Sequence, residues 1–139
     1  MWEYEYSAET TASPEAIWAV WSDVESWGRW NPGIESVTID GRFQAGSAIT
    51  MTPPGEEAVQ LRITRAVPNQ VFVDEAEFGG VVVTTEHRIE RSGPGRRTAV
   101  TYRMLISGPG ATEVGPEIGP QITADFPETV AGLIACAEA

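Results

Sequence analysis

Between Ile34 and Ser107 the chain is cut into short alternating segments by turn residues, a pattern that leaves little room for anything but an antiparallel sheet. Val59, Leu61 and Ile63 alternate with Gln60, Arg62 and Thr64, the period of a strand with one face buried. Val37 and Ile39 run into a turn at Asp40-Gly41, and Ile49 and Met51 into Pro53-Pro54-Gly55. Pro68-Asn69 is a further turn. Val71 to Phe78 and Val81 to Arg91 flank Gly79-Gly80, which reads as a tight hairpin. Ser92-Gly93-Pro94-Gly95 turns the chain again, and Arg97 to Ser107 is the last strand. Connections this short join antiparallel neighbours; a parallel crossover needs a dozen or so residues.

The two ends complete the plan. Trp2, Tyr4 and Tyr6 alternate with Glu3, Glu5 and Ser7, which reads as a first strand. Ser13-Pro14-Glu15 is a helix start: a capping hydroxyl, a proline where no amide is needed, and an acid at the positive helix end. Asp23 opens a second short helix through Trp27, and Gly28 with Asn31-Pro32-Gly33 ends it. After Gly108-Pro109-Gly110, the residues Ile118, Ile122, Phe126, Val130, Leu133 and Ala137 recur at steps of three and four, one apolar stripe on a long helix. Pro116 and Pro120 are expected before this helix or in its first turn. Pro127, in mid-stripe, is expected to remove a backbone bond and kink it. Residues 1–139 thus form a single two-layer α+β domain: a curved antiparallel sheet of about seven strands wrapped around a long C-terminal helix, with two short helices after the first strand.

Composition narrows the partners. Acidic residues number 20 and basic ones 9, a formal charge of −11, and every basic residue is Arg. Without Lys there is no amine for Schiff-base chemistry. The balance argues against nucleic acid and against an anionic membrane, both of which call for a basic footprint. No apolar run approaches membrane-spanning length, and the acidic, alternating N-terminus is unlike a signal peptide. The single cysteine, Cys136, permits no internal disulfide, which fits a cytoplasmic location; it reads as a small apolar residue near the terminus.

The order and type of several short motifs resemble the Bet v 1-like, START-like (SRPBCC) superfamily, in particular its bacterial polyketide cyclase/dehydrase members. They are Ser13-Pro14-Glu15-Ala16-Ile17-Trp18, Trp27-Gly28-Arg29-Trp30-Asn31-Pro32, Asp40-Gly41 with Gly46, Glu86-His87-Arg88-Ile89, and Ser107-Gly108-Pro109. The resemblance implies a helix-grip fold whose internal cavity takes lipids, sterols, polyketides or other apolar molecules. It transfers no catalytic residue, because function on a shared fold resides in the site.

Pairing across Gly79-Gly80 sets the candidate site. Glu86, Arg88 and Glu90 mark the wet face of their strand, so Val83, Thr85, His87 and Ile89 point inward. Across the turn, Phe78 meets Val81, Asp74 meets Thr85 and Phe72 meets His87, making Asp74 the diagonal neighbour of the only histidine. Val100, Tyr102 and Met104 face inward on the last strand. His87 and Asp74 could pair as a general base, with Tyr102 donating to a developing oxyanion; equally, the pair could simply order the core. Trp30, Phe72, Phe78, Thr85, Met104, Ile122 and Phe126 are the expected ligand contacts, while Trp18, Trp21 and Trp27 are read mainly as packing. Asp125, beside Phe126, sits either at the cavity edge or on a solvated face. One histidine cannot build a three-histidine zinc site, and no phosphate-loop spacing occurs, so neither metal nor cofactor is expected. Three functions remain open: a carrier of a small hydrophobic molecule, a cofactor-free cyclase or dehydratase, and a regulatory protein-interaction module, the protein acting as monomer or homodimer.

Overall fold

The computed structural model describes residues 1–92 and 97–139, apart from the side chains of Phe78 and Ser92. Seven strands form one antiparallel sheet: β1 (Trp2–Thr10), β2 (Ser36–Asp40), β3 (Ala48–Thr52), β4 (Val59–Val67), β5 (Val71–Phe78), β6 (Val81–Ser92) and β7 (Arg97–Ser107). Their order is β1-β7-β6-β5-β4-β3-β2, so β1 is carried across to the far edge beside β7. Helix α1 (Pro14–Ser22) and a 3-10 turn (Val24–Arg29) fill the connection from β1 to β2. The Ser13 hydroxyl caps α1 by accepting from the Ala16 amide at 3.1 Å. Of the expected turn Ser92-Gly93-Pro94-Gly95, residues 93–95 lie outside the described residues.

The hairpin register is that of a two-residue turn. Gly79 and Gly80 have φ of 48° and 91°, left-handed values at both central positions, as a primed turn requires. Phe78 pairs with Val81, Asp74 with Thr85 and Phe72 with His87, and His87 pairs in turn with Tyr102 of β7. Alternation then buries Phe72, Asp74, Ala76, Val83, Thr85, His87, Tyr102 and Met104 on one face.

The C-terminal helix is bent, as Pro127 led to expect, but starts earlier than expected. It forms two segments, α2 (Ala111–Thr123) and α3 (Phe126–Glu138), with the bend at Ala124 and Asp125. Pro127 sits in the first turn of α3, where its missing amide costs no intrahelical bond. Pro116 and Pro120 lie inside α2, which begins earlier than the apolar stripe suggests. Its N-terminal half is held instead by small residues: Gly115 and Gly119 are buried against Trp2, and a Cβ at Gly119 would stand 2.6 Å from the indole ring. This contact is invisible to a count of large apolar residues.

Alpha-three approaches the turn after the 3-10 segment so closely that a Cβ on Gly132 would run into the Trp30 carbonyl oxygen. Alanine there would raise helix propensity by about 1 kcal/mol, yet the obstacle is backbone and cannot rotate away. Gly132→Ala is therefore predicted to destabilise the protein by about 1–3 kcal/mol, the usual cost of overpacking. Urea unfolding checks it; a variant as stable as the parent would refute this close approach.

Candidate functional site

Between the sheet and the bent helix lies a cavity of about 560 Å³. Its wall includes Trp21, Trp27 and Trp30 from the first helical region, Met51 and Leu61 from β3 and β4, and Phe72, Asp74, Thr85, His87, Tyr102 and Met104 from β5, β6 and β7. Ile122, Asp125, Phe126 and Thr129 close it from the helix side. Toward α2 it shares Leu61, Ala76, Gln121 and Ile122 with a wider open groove, whose far wall is Val114 and Ile118. The structure thus brings together every named candidate except Phe78, whose side chain lies outside the described residues and whose backbone ends β5.

One aromatic chain runs through the wall. The His87 imidazole lies flat on Phe72, with ring centres 3.8 Å apart and planes 4° apart, as expected for directly opposed cross-strand residues. Tyr102 meets His87 edge-on at 4.6 Å and Phe126 edge-on at 5.7 Å. Trp21, fully buried, donates its indole N–H to the Tyr102 hydroxyl at 3.2 Å. Trp27 donates to the Trp21 carbonyl at 2.8 Å, which fixes the pair. Trp21 and Trp27 are more than packing residues: both line the cavity, and Trp21 orients Tyr102. Sequence spacing gives them to two short helical segments but says nothing of what those segments meet.

The expected His–Asp pair is not made. His87 Nδ1 lies 3.2 Å from the Phe72 carbonyl oxygen. A carbonyl only accepts, so Nδ1 carries the proton and Nε2 is left with its lone pair. Burial pushes the His87 imidazole down to about 3, opposed by this bond, so the ring is neutral at pH 7. Asp74 is 6% exposed. Among the described residues its carboxyl has no hydrogen-bond or ion-pair partner, and burial, reinforced by the charge of Glu75, pushes it up to about 7. The Tyr102 phenol is pushed upward chiefly by burial. Its oxygen accepts from Trp21, which leaves its O–H free to donate into the cavity. The carboxyl group near neutrality, not the histidine, is thus the group able to exchange a proton at physiological pH.

Two further positions are settled by the helix. Asp125 lines the cavity at the helix bend, half-buried, and burial raises its carboxyl above the usual range. The bend beside Pro127 sets it against the cavity. Cys136 is exposed near the C-terminus. Among the described residues no cluster of three or more His, Cys, Asp or Glu side chains is arranged to hold a metal, and no helix is long and apolar enough to cross a membrane.

A family model described as "Polyketide cyclase / dehydrase and lipid transport" matches residues 1–138. No curated protein matches the chain. Among solved structures, a point mutant of norcoclaurine synthase from Thalictrum flavum, in complex with a transition-state analogue, superposes with a TM-score of 0.76 at 16% identity, over 97% of this chain and 92% of that one. The di-domain ARO/CYC protein StfQ of steffimycin biosynthesis gives 0.75 at 10% identity, over 98% of this chain and 50% of the other. A START superfamily protein from Mycobacterium smegmatis gives 0.67 at 20% identity, over 98% and 94%. At these identities the likeness is one of fold.

The two buried titrating groups act on stability with opposite signs. Folded Asp74 keeps its proton up to about 7, against 3.8 for an unperturbed Asp, so its contribution falls as pH rises through that window. Folded His87 sheds its proton down to about 3, against 6.5, so its contribution falls as pH drops through that window. Between about pH 4 and 6.5 the two slopes offset. Asp74→Asn removes one of them, and its stability relative to the parent is predicted to climb by roughly 1 kcal/mol per pH unit across that range. Urea denaturation of both proteins at several pH values reads this directly; parallel pH profiles would refute it.

Proposed function

The chain belongs to the polyketide cyclase / dehydrase and lipid transport family, and from that footing we propose that it holds one small hydrophobic molecule, of polyketide, lipid or other aromatic or isoprenoid type, in the cavity between sheet and helix. The observation that carries this reading is the cavity itself. Its volume of about 560 Å³ falls within the range of about 300–1,000 Å³ usual for small-molecule sites. Six aromatic side chains, Trp21, Trp27, Trp30, Phe72, Tyr102 and Phe126, stand in its wall. The open groove beside α2 supplies a mouth. A protein-interaction module requires no such interior, so the cavity favours a ligand over that alternative.

A catalytic reading is favoured by one specific observation: a carboxyl group held near neutrality shares the cavity with a phenol whose O–H is uncommitted. In a cyclisation or dehydration next to a carbonyl, Asp74 takes the proton from carbon and Tyr102 donates to the enolate oxygen. His87, neutral and tethered to the Phe72 carbonyl, orders the wall and offers Nε2 as an acceptor.

Two experiments test these readings. Ala76 lies buried at the junction of cavity and groove. Ala76→Trp should fill that space and weaken binding of the neutral dye Nile red more than tenfold while circular dichroism stays native; unchanged dye affinity would refute the cavity reading. For the catalytic reading, Asp74→Asn should lower turnover of a poly-β-ketone substrate by about 10²–10⁴, the usual worth of a general base, and leave Nile red binding intact. Turnover unaffected by that substitution would remove Asp74 from the chemistry.

A further inference from the structure

The charged side chains in the cavity wall are all carboxylates: Asp74 deep inside, Asp125 at the helix bend and Glu56 at the rim. Among the described residues no Arg stands there, and the one imidazole is neutral. A ligand carboxylate, sulfate or phosphate would therefore be desolvated against negative charge with nothing to pair it.

Two buried polar groups in this wall also lack partners. The Asp74 carboxyl, more than nine-tenths buried, points from β5 into the cavity with no donor among the described residues. The indole N–H of Trp30 is buried and makes no hydrogen bond. Buried polar groups in folded proteins are nearly always satisfied, so the orphaned Asp74 carboxyl facing the cavity marks what its occupant must supply. Around Asp74 the wall is aromatic, and aromatic faces attract cations once water is excluded. A formal charge of −11 over the whole chain raises the concentration of cations at the mouth.

We propose that the molecule held in this cavity is an apolar, ring-bearing body carrying a protonated amine, with the ammonium seated on Asp74 and the rings among Trp21, Trp27, Phe72 and Tyr102, and that the cavity rejects carboxylate-bearing analogues of the same shape. The inference rests on the ligand-binding reading above and adds the charge of the ligand to it. Ionised Asp74 then gains the counter-charge it lacks, and the ammonium trades its water for a carboxylate and aromatic faces.

The test uses three probes of nearly equal shape, naphthylmethylamine, naphthalenemethanol and naphthoic acid, titrated by calorimetry at neutral pH. The amine is expected to bind at least tenfold more tightly than the alcohol, as for a buried charge-assisted hydrogen bond, and the acid at least tenfold more weakly. Asp74→Asn should bring the amine down to the level of the alcohol while the alcohol itself changes little, which also shows that the variant is folded. Equal affinity for amine and alcohol, or a preference that survives Asp74→Asn, overturns the proposal and leaves the cavity reading standing. Failure of all three probes to bind overturns both.

Discussion

The pairing of β5 with β6 across Gly79 and Gly80 is the constraint on which the interior depends. Both glycines take left-handed values that a two-residue primed turn demands. That turn length fixes Phe72 opposite His87 and Asp74 opposite Thr85. A one-residue slip of β6 against β5 would send His87 and Thr85 to solvent and bring Glu86 and Arg88 inside. The stacked Phe72–His87 pair and the bond from His87 to the Phe72 carbonyl follow from this register, and the β6–β7 pairing then sets Tyr102 against the imidazole.

Because the register is written in alternating residues and a glycine pair, it was legible in the sequence, as were the seven strands, the capping role of Ser13 and the inward set on β5, β6 and β7. Three things were not. The His87–Asp74 pair fails because a diagonal neighbour is within reach without being the nearest partner; the Phe72 carbonyl, directly opposite, captures Nδ1 first. The start of α2 was missed because its N-terminal half is docked by Gly115 and Gly119 rather than by large apolar residues. Asp125 was left between the cavity edge and water because the expected kink at Pro127 does not say which way it turns the residues before it; the bend at Ala124 and Asp125 sets Asp125 against the cavity. Local pattern fixes which face a residue takes; which atom it meets there depends on approaches between distant segments.

Polar groups set in this apolar interior carry opposite burdens. His87 stays neutral and is satisfied through one bond, so it adds order at small electrostatic cost. Asp74 is unsatisfied, and its desolvation is a standing charge against the stability of the empty protein. Sites that bind or transform ligands often retain such groups, since the strain they impose on the free protein is released when the ligand arrives.

Pro116 and Pro120 leave the carbonyls of Thr112 and Pro116 without their intrahelical donors, and both prolines face water. Water is the natural partner for those two exposed acceptors. The roof of the cavity is thus in its least cooperative state where the mouth opens, while α3, free of interior prolines and braced against Trp30, is the firm half. In amide hydrogen exchange such a division puts α2 among the first segments to open and α3 among the last. Passage into the interior then runs beside the more loosely held helix, with the α3 side of the grip left closed.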